Sequence, residues 1–303
     1  MPVIKVYQHG VTAAILPRSN NHERAKRGIV QGWSKSAARN NTRFLRSIAM
    51  SNFEKEDETT AIAFTLTVRD CPPTSDDWHK LRRAFIRRLE RSGLRRLHWV
   101  TEWQRRGVPH LHGMAIFSLD GRPCIKSSWV AVADKYGASP RGQHLNLIDN
   151  EKGWFQYLAK HASRGADHYQ RSSAGIPSGW EKTGRVWGHV GQWDLKESGD
   201  IHCSNEMFFA FRRIVRKWRL ADARTALRES PMLILRDGWM VPNPHWLSAK
   251  KRIISSRKML KSNDFKKSQV RGLSEWIDFE STLLIIEFLH SQGYEIHTPD
   301  SED

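Results

Sequence analysis

The chain is short of cysteine. It has three, Cys71, Cys124 and Cys203, with no paired spacing, which argues for a reducing compartment and against a disulfide framework. No uninterrupted apolar run reaches the roughly 18 residues that a membrane span needs. Met1 to Gly10 lacks the apolar core of a secretory leader, so a cytoplasmic protein with no membrane partner is expected. No Gly-x-x-x-x-Gly-Lys-Ser/Thr segment occurs, so no fused ATP-driven helicase is evident. Internal repeats are absent too. Acidic residues are outnumbered: 32 Asp and Glu against 49 Lys and Arg, a net charge of +17. Such an excess is an electrostatic footprint for nucleic acid, because neutralising phosphates supplies most non-specific affinity. A merely basic protein, or one that sits on anionic membranes, would look the same by charge. The thirteen tryptophans favour nucleic acid, since exposed aromatics stack on unpaired bases, although many can simply be core.

What is present falls into three stretches. Residues 1–57 are polar and basic, with Ser-Asn-Asn-His and Arg-Asn-Asn-Thr-Arg clusters, and read as an N-terminal extension with a short helix near Ala37 to Met50. Residues 58–195 carry the clearest pattern. Ile62 to Val68 is rich in β-branched residues and reads as a strand. Ser75 or Asp76 can cap a helix from Asp77 to Ser92, with Trp78, Leu81, Phe85 and Leu89 on its apolar face. A hairpin from Leu97 to Phe117 follows, then a helix over Ser127 to Tyr136 and a strand over Gln143 to Ile148. Strand, helix, strand, strand, helix, strand is the split βαβ, ferredoxin-like order. It predicts an α+β fold, an antiparallel sheet with helices on one face. Residues 196–303 read as a mainly helical basic region: a helix over Asn205 to Leu220, a basic linker or arm over Lys250 to Lys267, and a helix over Trp276 to Leu289.

Chemistry concentrates in the hairpin. His110-Leu111-His112 puts two imidazoles on one strand face, because side chains alternate with period two. A turn at Arg105-Arg106-Gly107 sets Glu102 opposite His110, and opposed residues share a face. One hairpin thereby offers two imidazoles and a carboxylate to a divalent metal, with positions left open for substrate oxygens. Downstream, Trp154 to Lys160 reads as an amphipathic helix with Tyr157 and Lys160 one turn apart. A free phenol is a poor nucleophile at neutral pH. An adjacent ammonium and a nearby metal would favour its phenolate. Taken singly, each of these residues also has a plain structural explanation.

Together the motifs resemble the His-hydrophobic-His (HUH) endonucleases, specifically the rolling-circle replication initiators of phages and plasmids. Phe64-Thr65-Leu66-Thr67-Val68 is similar to the family's first motif, His110-Leu111-His112 to the second and Tyr157-Leu158-Ala159-Lys160 to the third. Gly184-Arg185-Val186-Trp187-Gly188 is similar to a segment often found after the tyrosine helix. The match covers roughly residues 60 to 195. The tyrosine follows the histidines, unlike in relaxases, and the positions one turn on are Lys160 and His161, as in a one-tyrosine enzyme.

The resemblance implies Mg²⁺ or Mn²⁺ on His110, His112 and Glu102, with Tyr157 as nucleophile and Lys160 orienting it or stabilising charge. It also implies DNA contacts from Arg105, Arg106, Arg185 and Trp187. The implied activity is nicking of single-stranded or supercoiled origin DNA in a bacterial cytoplasm. That leaves a 5′-phosphotyrosyl bond and a free 3′-OH, for use with a host helicase and polymerase and later strand rejoining. A one-tyrosine HUH transposase, an RNA-binding module of ferredoxin-like fold, and a repressor that binds its origin without cutting are the alternatives. An RNA-binding sheet would carry aromatics where these histidines stand.

Overall fold

The computed structural model describes residues 2–15, 31–49, 51, 60–118, 124–148, 157, 161, 165–166, 168–180, 182–236, 238–261 and 273–297. The chain divides into two units, residues 23–196 and residues 1–22 with 197–303. Both are α+β with antiparallel sheets.

In the first unit, α1 (Lys35–Ser47), β3 (Thr60–Thr67), α2 (Ser75–Glu90), β4 (Leu94–Trp103), β5 (Pro109–Phe117), α3 (Ile125–Ala133), β6 (His144–Ile148) and β7 (Trp187–Val190) occur in chain order. The sheet order is β6-β3-β5-β4-β7, so the histidine strand β5 is central. Its first four strands follow the ferredoxin-like arrangement. β3 and β4 lie either side of β5 and run antiparallel to it, and β6 pairs with the outer edge of β3.

Helix α2 begins two residues before the expected Asp77 because Thr74, not Ser75 or Asp76, is its cap, its hydroxyl accepting from the Asp77 N–H. Helix α3 starts at Ile125 and ends in a 3₁₀ turn, Asp134–Tyr136. Alternate residues of the sheet, Phe64 and Leu66 on β3, Leu97 and Trp99 on β4, Leu111 and Ala115 on β5, pack against Trp78, Phe85, Leu89 and Trp129 of the two helices. Trp129 meets Trp78 and Phe85 edge to face, with ring centroids 5.6 and 5.4 Å away. Trp33, Trp78, Trp99, Trp103, Trp129, Trp180 and Trp193 are all buried. For these tryptophans packing, and not base stacking, is the role that the structure gives.

The second unit departs from expectation at the N-terminus. The N-terminal stretch is not merely an extension: β1 (Pro2–Tyr7) and β2 (His9–Ile15) form a hairpin. They belong to a sheet ordered β11-β2-β1-β8-β12, with β8 (Gly199–Cys203), β11 (Leu273–Asp278) and β12 (Ile296–His297). Polar clusters around the hairpin mask a short β-branched pattern whose partners lie some two hundred residues away in sequence. The C-terminal region is mainly helical, as expected, but also contributes strands. Helix α4 (Asn205–Glu229) is longer than expected. A hairpin of β9 (Leu233–Arg236) and β10 (Trp239–Pro242) follows, and the expected basic linker begins inside helix α5 (Pro244–Lys261). Trp276 belongs to β11, and helix α6 (Phe279–Ser291) starts only after it, capped by Asp278. Ile4, Val6, Val11 and Ala13 of the sheet bury against Phe208, Phe211 and Val215 of α4 and Ile285 and Leu289 of α6.

Gly113, next after the histidine pair, lies under the Phe64 ring. A Cβ there would stand 2.2 Å from Phe64 Cζ and 2.8 Å from the His98 carbonyl oxygen. Gly113→Ala is expected to destabilise the first unit by about 1–3 kcal/mol, the usual cost of overpacking. Denaturant unfolding checks this, and a Phe64→Leu background should shrink the loss.

Candidate active site

The face of the first unit's sheet turned away from α2 and α3 is built in ranks that run across the strands. Thr67, His110 and Glu102 lie side by side on β3, β5 and β4. The next rank is Thr65, His112, Val100 and Trp187, and the one after holds Met114, His98 and His189. Period two puts every second residue of each strand on this face. The turn is set by Gly107 at φ +73° and by the Gln104 N–H donating to the Val108 carbonyl at 2.9 Å.

Polar contacts tie the ranks together. Thr65 Oγ1 and His112 Nδ1 are hydrogen-bonded at 2.8 Å. The Gln104 amide donates to Thr67 Oγ1 at 2.9 Å and to His110 Nδ1 at 3.3 Å. The rings of His110 and His112 lie 4.9 Å apart between centroids. Glu102 is fully buried. Its Oε1 accepts from Arg171 Nε at 2.8 Å, and its Oε2 lies 3.5 Å from His112 Nε2. Arg171, equally buried, also donates to the His161 carbonyl at 2.8 Å and lies over the Trp33 ring at 3.9 Å.

Tyr157 and His161, four residues apart in sequence, stand over this face. The His161 ring is 5.2 Å from that of His112 and 4.7 Å from that of Tyr157, bridging the two. Tyr157 is buried, and its hydroxyl meets His98 Nδ1 at 2.8 Å. On the other side of that imidazole, Nε2 meets Asn41 Oδ1 of α1 at 2.8 Å. An amide oxygen only accepts, so Nε2 carries the hydrogen and the phenol donates to Nδ1. Phe44, also from α1, stacks on His98 at 5.7 Å and on His189 at 4.4 Å. Burial, then the charges of His189 and Arg171, push His98 down to about 3, so its imidazole is neutral at ordinary pH. Burial and the Glu102 charge push the Tyr157 phenol well above its usual value. That is the reverse of the activated phenolate expected from an adjacent lysine. Lys160 itself, with most of the expected helix around Tyr157, lies outside the described residues.

The remaining candidates fall at the rim. Arg106 is exposed, but its guanidinium donates to the Val68 and Arg69 carbonyls at 2.6 and 2.9 Å, clamping the end of β3. Arg105 is exposed and lies 5.4 Å from the ring of the exposed Tyr169. Arg185 is exposed, with its carbonyl accepting from the buried Arg82 at 3.2 Å. Trp187 is half-buried against Phe44, at 5.9 Å.

His110, His112 and Glu102 are the right donors for a divalent metal in kind. Among the described residues, though, no group of three or more His, Cys, Asp or Glu side chains is placed so that it could hold an ion. The Glu102 carboxylate is turned to Arg171, and His110 Nδ1 accepts from Gln104, whereas a ligating imidazole normally donates from its second nitrogen. Metal binding at these three residues therefore needs side-chain rearrangement.

Asn41, His98, His161 and Arg171 complete the constellation beyond the residues that motif spacing singled out. His98 could have been found, since it lies four residues before Glu102 on the same strand and so on the same face. Asn41 and Arg171 carry no local signal.

No family model and no solved structure matches the chain. Among curated proteins, the replication-associated protein G2P of Pseudomonas phage Pf3 is 43% identical over 97% of this chain and 99% of its own length. Two Xylella fastidiosa proteins, provisionally named replication proteins, are also similar. That of strain 9a5c is 43% identical over 98% of this chain, and that of strain Temecula1 is 45% identical over 91%. The chain belongs to this family of phage and bacterial replication proteins.

Arg171→Leu is expected to cost about 3 kcal/mol or more of stability, because it takes the guanidinium from a buried carboxylate. Adding Glu102→Gln should recover part of the loss. A double-mutant cycle by denaturant unfolding measures both.

Proposed function

We propose that this protein initiates rolling-circle DNA replication, as an HUH endonuclease of the one-tyrosine type that nicks one strand at an origin. The observation that carries the proposal is the convergence of Tyr157, His161, His112, His110 and Glu102 on one sheet face, in a chain whose relatives are named replication proteins. Tyr157 attacks the scissile phosphorus, and the 5′-phosphotyrosyl bond formed keeps the phosphodiester's energy, so that a later attack by a 3′-OH rejoins the strand. His110 and His112, with Glu102 as third ligand, would hold Mg²⁺ or Mn²⁺. Imidazole donors favour the latter in a test tube, and the ion, held once these side chains rearrange, would supply charge stabilisation at the phosphate. The net charge of +17 supplies salt-sensitive affinity for origin DNA, with Arg105, Arg185 and Trp187 at the rim as contacts. Arg106 is the weakest of the four proposed contacts, since it is engaged with β3. A host helicase and polymerase complete the cycle. On the alternative of an RNA-binding sheet, the central strands present Thr65, Thr67, His110 and His112 where stacking aromatics would be needed.

The test is covalent adduct formation with end-labelled single-stranded origin DNA and Mn²⁺, read on a denaturing gel. The expected result is an adduct in the native protein that maps to Tyr157, is lost on chelation and is absent in Tyr157→Phe. His110→Ala and His112→Ala should each reduce it at least 100-fold without matching losses in DNA binding. Tight binding with no adduct on any candidate origin would instead mark a non-cutting repressor.

A further inference from the structure

Behind Tyr157 lies a series of buried polar groups that the nicking motifs do not account for. Tyr157, His98 and Asn41 come from three separate segments and are joined end to end by hydrogen bonds of 2.8 Å. Their relative exposures are 5%, 0% and 0%. The chain could have filled this volume with apolar side chains at no desolvation cost. Instead it buries an imidazole with one nitrogen on the hydroxyl of the proposed nucleophile and the other on the Asn41 amide oxygen, which accepts. A hydroxyl nucleophile, a base within hydrogen-bond reach and a third group that fixes the base's tautomer form the general arrangement for activating a nucleophile. Phe44, stacked within 19° of the imidazole plane, keeps the ring from turning.

Resting on the tyrosine-nuclease reading above, we infer that His98 is the general base that takes the Tyr157 proton, and that Asn41 is the positioning residue that holds its Nδ1 toward the phenol. The step balances as follows. Tyr157 Oη forms its bond to phosphorus while its proton passes to His98 Nδ1. The bond from phosphorus to O3′ breaks, O3′ leaves with the electron pair, and it takes a proton from water. His98 then returns its proton to solvent, so the net reaction exchanges one phosphodiester for another and consumes nothing. The surroundings favour such a partner, since the phenol is buried away from bulk water and His98 Nδ1 lies within hydrogen-bond reach of its oxygen. They also show what the substrate changes. Part of what holds His98 neutral is the charge of His189 and Arg171, and a phosphodiester anion entering beside these groups opposes it.

The experiment is single-turnover adduct formation by the full-length protein on single-stranded origin DNA with Mn²⁺. Tyr157→Phe serves as the blank and DNA binding is measured in parallel. His98→Ala should slow the reaction 100-fold or more, the usual range for a lost general base, with binding kept. Added imidazole should restore part of the rate, and more basic imidazoles should restore more. Asn41→Leu leaves the imidazole in place and keeps the inference testable should His98→Ala unfold. It should slow the reaction at least 10-fold, and ¹⁵N spectra of histidine-labelled protein should show the His98 proton no longer confined to Nε2. A His98→Ala rate within threefold of native, rescue that ignores the basicity of the added imidazole, or an Asn41→Leu variant with native rate and tautomer would overturn the inference while leaving the nuclease intact. Absence of any adduct in the native protein would overturn the nuclease reading, and this inference with it.

Discussion

The buried ion pair between Arg171 and Glu102 is the contact on which the site depends. Neither side chain is exposed, and the same guanidinium holds the His161 carbonyl and covers Trp33. One planar cation therefore ties together the end of β4, the backbone at His161, and the segment that leads into α1. Such a pair adds little net stability over a well-packed apolar set, but its geometry is demanding and an unpaired member is costly. Arginine suits it because its fork can serve a carboxylate and a carbonyl at once while its face stacks on an aromatic ring. The consequence is positional: His161 stands between Tyr157 and His112 because the backbone that carries it is held by the ion pair.

The rest of the arrangement follows from alternation. On β5, Leu111 points to the core with no exposure, and His110 and His112 point away. A slip of one residue in register would drive both histidines into the apolar layer and expose Leu111, so the buried face fixes the chemistry of the open one. Gly113 takes part in the same constraint. Without a side chain there, Phe64 can lie across β5 and meet Phe85 edge to face at 6.0 Å, locking β3 against β5 at the rank next to His112.

The split βαβ order was legible because its signals are local: β-branched strands, a capped amphipathic helix, and a hairpin whose short turn fixes register. The opposition of Glu102 and His110 follows from turn length alone. The second unit was not legible in the same way. Its sheet joins Val3 to His202 and Val11 to Glu275, and no periodicity within a short strand announces a partner at that distance. The site divides along the same line. Residues carried by a motif could be named, and His98 was within reach of strand parity. Arg171 and Asn41 were not, because a buried arginine and a buried asparagine look like surface residues until the partner that neutralises or satisfies them is known. The environment of Tyr157 was hidden for a related reason: a neighbour at i+3 was visible in the sequence, whereas the burial of Tyr157 and the raising effect of the Glu102 charge were not.

That burial has a consequence for how a phosphate must be met. On the proposed nuclease reading, a phenol raised above its usual ionisation range by burial and the Glu102 charge would lose its proton as its bond to phosphorus forms. The hydrogen bond to His98 prepares for this. It commits the phenol's proton to one direction. It also fixes the ring's rotation, so that less orientational freedom is lost when the substrate arrives. A neutral imidazole, a neutral phenol and an internally neutralised Arg171–Glu102 pair leave the resting site without an unbalanced charge from these groups. On the proposed nuclease reading the charges that enter are then the metal ion and the phosphodiester, in surroundings of low dielectric where their fields act most strongly on the groups that must move a proton.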